Sequence, residues 1–183
     1  MMNDIDRILY PKEQLDEVVR ELGRQISADY EGRNLLMVSI LKGSIVFMAD
    51  LMRQITVPCE IDFMATSSYG SGTKTSGTVR IMKDLDRDVR GYDILLVEDI
   101  LDSGKTLNYL MDMLYARNPA SIRICTLFDK PERREVDIKA DYKGISVPDE
   151  FIVGYGLDFD EKYRNLPFIG VLRKEIYEKT ASE

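Results

Sequence analysis

Apolar residues recur along this chain in two rhythms, one near the helical repeat and one of short unbroken runs. Leu15, Val18, Val19, Leu22 and Ile26 fall on one face at helical spacing behind Pro11, which predicts an amphipathic helix over 11–30. Residues 35–41 (LLMVSIL) suit a strand buried on both faces. Gly43 interrupts that run, and 44–54 returns to helical spacing. Residues 59–66 (CEIDFMAT) alternate as a strand, and 79–83 read as a short one. A central strand is predicted over 93–98 (DILLVE), a helix over 105–117 and another strand over 121–128 (SIRICTLF). After a loop around Pro131, 151–155 (FIVGY) reads as the last core strand. Residues 67–78 (SSYGSGTKTSGT) are dominated by Gly, Ser and Thr and are expected to form a mobile loop.

Strands alternating with helices imply βαβ units, and hence an α/β fold with a mainly parallel central sheet flanked by helices. Such sheets take ligands at the carboxyl ends of their strands. The polar residues that follow each apolar run are therefore the candidates for chemistry.

Composition narrows the picture. A chain of 183 residues without a repeat or linker is expected to form one domain, 1–183. Lys and Arg total 25 against 32 Asp and Glu, a net charge of −7 that argues against broad binding to nucleic acid or an anionic membrane. No apolar run approaches the ~18 residues of a membrane span. Residues 1–10 carry Asp4, Asp6 and Arg7 rather than a signal-peptide core, so the cytoplasm is the expected compartment. Cys59 and Cys125 read as buried, reduced thiols. The chain has no histidine, which excludes Ser–His and Cys–His nucleophile pairs and His-ligated zinc.

The richest stretch is 93–107, DILLVEDILDSGKTL. An apolar strand meets two acids, Glu98 and Asp99, and then Asp102, Ser103, Gly104, Lys105 and Thr106 open a helix. Small residues at a helix N-terminus present free N–H groups to an anion, and the Ser103 and Thr106 hydroxyls add donors. Glu98 and Asp99 suit vicinal sugar hydroxyls, or magnesium held through water. A nucleotide-triphosphate loop is disfavoured, because its first Gly would fall at Asp99. Taken alone, the segment also fits a solvated acidic turn with Asp102 as helix N-cap.

The segment resembles the phosphoribosyl diphosphate signature of the type I phosphoribosyltransferases. Leu41-Lys42-Gly43, Ser68-Tyr69-Gly70, Asp129-Lys130-Pro131 and 148–166 (PDEFIVGYGLDFDEKYRNL) follow in order and resemble the hypoxanthine-guanine branch of that family. The resemblance implies transfer of the 5-phosphoribosyl group from 5-phosphoribosyl diphosphate to hypoxanthine or guanine. It also implies Mg2+, a hood lobe built from the chain termini, and a homodimer or homotetramer. The Met-rich helices (Met48, Met52, Met111, Met113) would serve as core or interface.

By the same resemblance, Asp102 is the general base for the purine N–H. Lys42 and Gly43 meet the pyrophosphate, with a cis Leu41–Lys42 peptide, and Ser68 and Tyr69 close over it. Glu98 and Asp99 face the sugar and metal, and 102–106 cradle the 5-phosphate. Lys130 donates to the 6-oxo group, which disfavours adenine. Phe151 stacks on the base, the Ile152 carbonyl meets the purine edge, Asp158 holds a second magnesium and Arg164 pairs with pyrophosphate. A nucleic-acid-binding regulator on the same fold is the rival reading; it calls for a basic face or an added binding domain.

Overall fold

The computed structural model describes residues 1–68 and 79–178. In chain order these form β1 (Ile5–Tyr10), α1 (Lys12–Asp29), β2 (Leu35–Leu41), α2 (Ile45–Met52), β3 (Cys59–Ser68) and β4 (Val79–Lys83). Then come β5 (Asp93–Leu101), α3 (Lys105–Tyr115), β6 (Ser121–Asp129), β7 (Tyr142–Ser146), β8 (Ile152–Val153), β9 (Ile169–Leu172) and α4 (Lys174–Glu178). Short 3-10 turns occupy Met2–Asp4 and Pro131–Arg133.

Six strands make the main sheet in the order β4-β3-β2-β5-β6-β7. All its pairings are parallel except the β3–β4 edge, as the alternation of strand and helix requires. Strand β2 is apolar almost throughout because both faces are covered. Leu35 and Met37 join a core with Leu15, Val19 and Ile26 of α1 and Phe47 and Leu51 of α2. Leu36 and Val38 join the opposite core with Leu107, Leu110 and Leu114 of α3. Each helix therefore buries one stripe, as its spacing predicted.

A second, antiparallel sheet has the order β1-β9-β8. The earliest and the latest strands of the described chain thus build one small lobe, in keeping with the expected hood. Alternation along its strands sorts its side chains. Ile152, Ile169 and Val171 enter the α1-side core, while Ile5, Val153 and Leu172 form a third cluster with Tyr163 and Leu166.

Several expectations are corrected. The 93–98 strand runs on to Leu101, because its ladder with β6 continues through Leu101↔Asp129. Glu98 and Asp99 therefore lie inside the strand rather than at its end. Residues 151–155 are not a strand of the main sheet: of them Ile152–Val153 join a sheet, and it is the small one. Strands β1, β7 and β9 were not anticipated, being short or interrupted by charged residues. Cys125 is buried, but Cys59, at the start of β3, is only partly covered; both are free thiols. Among the described residues no helix is long and apolar enough to cross a membrane.

Candidate active site

The carboxyl ends of β2, β5 and β6 deliver most of the candidate residues. At the end of β2 the Leu41–Lys42 peptide is cis. Ser44 Oγ lies 2.6 Å from the Ile40 carbonyl, to which it donates, and 2.7 Å from Ser39 Oγ, which pins the turn from below. Gly43 is enclosed: a Cβ there would sit 1.8 Å from Asp99 Oδ2, and a Cβ on Gly156 would sit 2.1 Å from the Gly43 carbonyl. The sequence provides glycine at both positions because a main-chain loop, a carboxylate and a second main chain converge without room for a side chain.

Asp99 accepts from the Ile100 N–H at 2.7 Å, and burial pushes its carboxyl up to about 6, against the pull of that N–H and of Arg164. Glu98 is driven well above the usual carboxylate range, first by burial and then by Asp99. Its Oε2 is buried and without a hydrogen-bond partner. Two adjacent acids with unmet demand for positive charge suit a cation or sugar hydroxyls.

Beside them, the Arg164 guanidinium donates to the Gly156 carbonyl at 2.8 Å and contacts Asp158 at 2.8 Å and Glu161 at 3.3 Å. Lys42 reaches the same Glu161 at 3.1 Å. Lys42, Gly43, Asp99, Asp158 and Arg164, singled out from three separate segments, thus form one continuous polar patch. Among the described residues no three Asp, Glu, His or Cys side chains converge as a metal-binding group. That arrangement still fits magnesium, which is usually bound through one or two carboxylates and completed by water and substrate phosphates.

The candidate phosphate loop lies between β5 and α3. Gly104, not Asp102, is the α3 N-cap; it holds φ +82°, and a Cβ there would meet Ile138 Cγ2 at 2.5 Å. Capping by Asp102 is therefore corrected: the αL turn at Gly104 makes the cap, leaving Asp102 outside the helix. The Lys105 N–H points to Ser103 Oγ at 3.4 Å, and its ammonium pairs with Glu135. Lys105 thus offers the loop its backbone while its side chain is engaged elsewhere. Thr106 follows within the first helical turn.

Asp102 has two unlike oxygens. Oδ1 is buried without a partner, and Oδ2 lies 3.6 Å from Arg133 Nη1. Asp102, Ile100, Lys130, Phe151, Ile152 and Asp158 line one cavity of about 910 Å³. Lys130 is 7% exposed and donates to the Glu150 carbonyl at 2.8 Å. Burial, and then the neighbouring Arg133, lower its pKa from the ordinary lysine value. Phe151 stays 39% exposed.

Sequence reasoning missed Arg133 and Arg134. Arg133 links Asp102 to Asp149, with Nε 2.5 Å from the latter. Arg134 donates to the Leu101 carbonyl at 3.0 Å and also contacts the Asp102 carbonyl and Asp129, clamping the end of β5 to β6. The available signal was two adjacent arginines directly after Lys130-Pro131. Ser68 ends β3, with its side chain outside the described residues, and Tyr69 lies wholly outside them.

Residues 8–160 match the family model described as phosphoribosyl transferase domain. A Streptococcus thermophilus protein named hypoxanthine-guanine phosphoribosyltransferase is 54% identical over 176 residues, covering 96% of this chain and 98% of that one. The bifunctional protein TilS/HprT of Listeria innocua is 54% identical over 177 residues, or 97% of this chain; the chain spans only 27% of that relative's length. Among solved structures, a hypoxanthine phosphoribosyltransferase from Staphylococcus aureus superposes with a TM-score of 0.93 at 48% identity, over 97% of this chain and 96% of that one. The chain belongs to the hypoxanthine-guanine phosphoribosyltransferase family.

Proposed function

We propose that this protein salvages purines by transferring the 5-phosphoribosyl group of 5-phosphoribosyl diphosphate to hypoxanthine or guanine, releasing pyrophosphate and forming IMP or GMP with Mg2+. The observation that carries this reading is the one cavity that Asp102 lines together with Lys130, Phe151 and Ile152.

Bond breaking to pyrophosphate leaves positive charge on the sugar, so the site must hold an anionic leaving group and exclude water. Backbone groups of Lys42 and Gly43, with Arg164, suit the pyrophosphate, and the mouth of α3 with Ser103, Gly104, Lys105 and Thr106 suits the 5-phosphate. Glu98 and Asp99 would accept from the ribose hydroxyls, and they, together with Asp158, are the residues that would hold metal. Magnesium, when bound, supplies charge to offset the departing diphosphate.

The Asp102 carboxylate would accept the ring N–H, and proton removal there frees the nitrogen lone pair for attack at C1. The Lys130 ammonium donates to a 6-oxo group and would meet a second donor in adenine. Phe151 offers an aromatic face, and the Ile152 carbonyl an acceptor for the guanine amino group. Ser68 and Tyr69 belong to the expected lid over this chemistry. The free thiols suit the reducing cytoplasm, and family resemblance implies a homodimer or homotetramer, which sedimentation would decide.

The test is a steady-state assay of purified protein with 5-phosphoribosyl diphosphate, magnesium and, in turn, hypoxanthine, guanine, xanthine, adenine and uracil. Turnover with the first two and none with adenine or uracil is expected. Failure to form IMP or GMP would overturn the assignment.

A further inference from the structure

We propose that Tyr177, on the short helix α4, is a positioning residue for the purine: it backs the Phe151 ring and so fixes the plane against which the base stacks. This rests on the reading of Phe151 as the stacking residue.

Phe151 stands immediately before the two-residue strand β8 and is 39% exposed, so its own segment does little to restrain its ring. Two aromatic contacts supply that restraint. Tyr177 lies over the ring with centroids 4.9 Å apart and planes at 19°, an offset stack. Phe159 meets it edge-on, at 5.5 Å and 88°. One contact resists tilting of the ring and the other resists its sliding. The surface left uncovered is available to the cavity, which Phe151 and Tyr177 both line.

Tyr177 is itself anchored. It packs, with Ile176, against the cluster of Val153, Tyr163 and Leu166. The helix starts after Arg173, whose N–H donates to the Asp4 carbonyl at 2.9 Å and whose Nε reaches the Ile5 carbonyl at 3.4 Å. The stack is thus tied to the lobe that carries β8, and Phe151 becomes the middle layer between a protein ring and the purine.

The experiment compares Tyr177→Leu, Tyr177→Phe, Phe151→Leu and the double Leu variant in steady-state assays with hypoxanthine and with 5-phosphoribosyl diphosphate, alongside thermal melts. Aromatic pairs contribute enough beyond area burial to set an expected rise of about three- to tenfold in KM for hypoxanthine in Tyr177→Leu. KM for 5-phosphoribosyl diphosphate and kcat should stay within about twofold, and Tyr177→Phe should behave as wild type. In the Phe151→Leu background, removing Tyr177 should add little, because the two act through one ring. A Tyr177→Leu variant with unchanged or lowered hypoxanthine KM overturns the proposal; a lowered value would place Tyr177 in the base's own seat. A general loss of stability that raises both KM values alike also overturns it. Wild-type protein without purine turnover would sink the proposed function first, and this inference with it.

Discussion

At the scale of single residues, the site is organised by where charge is left unsatisfied. Asp102 keeps one carboxylate oxygen buried without a partner while the other faces Arg133. Replacing it with Asn keeps the shape and removes the proton acceptor. Asp102→Asn should retain both substrates and lose about 10²–10⁴-fold in kcat, measured by single-turnover and steady-state rates. Asp99 allows a second prediction. Its folded-state carboxyl sits at about 6, above the unfolded 3.8, so the folded protein binds a proton that the unfolded chain releases. Stability should therefore fall as pH rises from about 4 through 6, and the metal-free protein should melt higher at pH 5.5 than at 7.5. Asp99→Asn should shrink that difference. The acids held below their ordinary values, such as Asp62 and Asp84, lose their contribution only at lower pH and leave this window clear.

At the scale of elements, β2, β5, β6 and the helices around them were legible because each buries a regular stripe or a two-faced run. The loop of small residues between β5 and α3 was legible as a candidate phosphate cradle because such residues have few other reasons to follow an acidic strand. What escaped the sequence depends on contacts between distant segments. The clamp by Arg134 is one case, and the meeting of Gly156 with Gly43 is another. Gly156 holds φ +100° and packs against the Gly43 carbonyl, whereas Gly91, at φ +80°, has open space around it. Gly91→Ala should cost about 1 kcal/mol in urea denaturation, from backbone conformation alone. Gly156→Ala should cost at least ~2 kcal/mol more, because a main chain must move. Arg134→Met should raise the KM for 5-phosphoribosyl diphosphate about tenfold by loosening the end of β5; an unchanged value would confine Arg134 to a stabilising role.

At the scale of the molecule, the main sheet positions Lys42, Asp102 and Lys130 at its strand ends, and the small sheet carries Phe151 and Ile152 to the cavity that Asp102 and Lys130 line. The parallel sheet was readable from alternation along the chain. The small sheet's full strand set was not, since β1, β8 and β9 are short and gain their apolar faces only when paired. Ile5, 6% exposed, anchors β1 in the cluster that supports Val153 and Leu172. Ile5→Ala should cost about 2–4 kcal/mol and raise the purine KM more than the diphosphate KM, as read by denaturation and kinetics together.

The pairing of Ile5↔Leu172 also has a temporal meaning. A ribosome makes residues 5–10 among the first and 169–172 among the last of this stretch, so β1 leaves the exit tunnel with no partner to accept its hydrogen bonds. The small sheet beside the cavity can close only after translation of β9, long after β2, β5 and β6 have had the chance to pair.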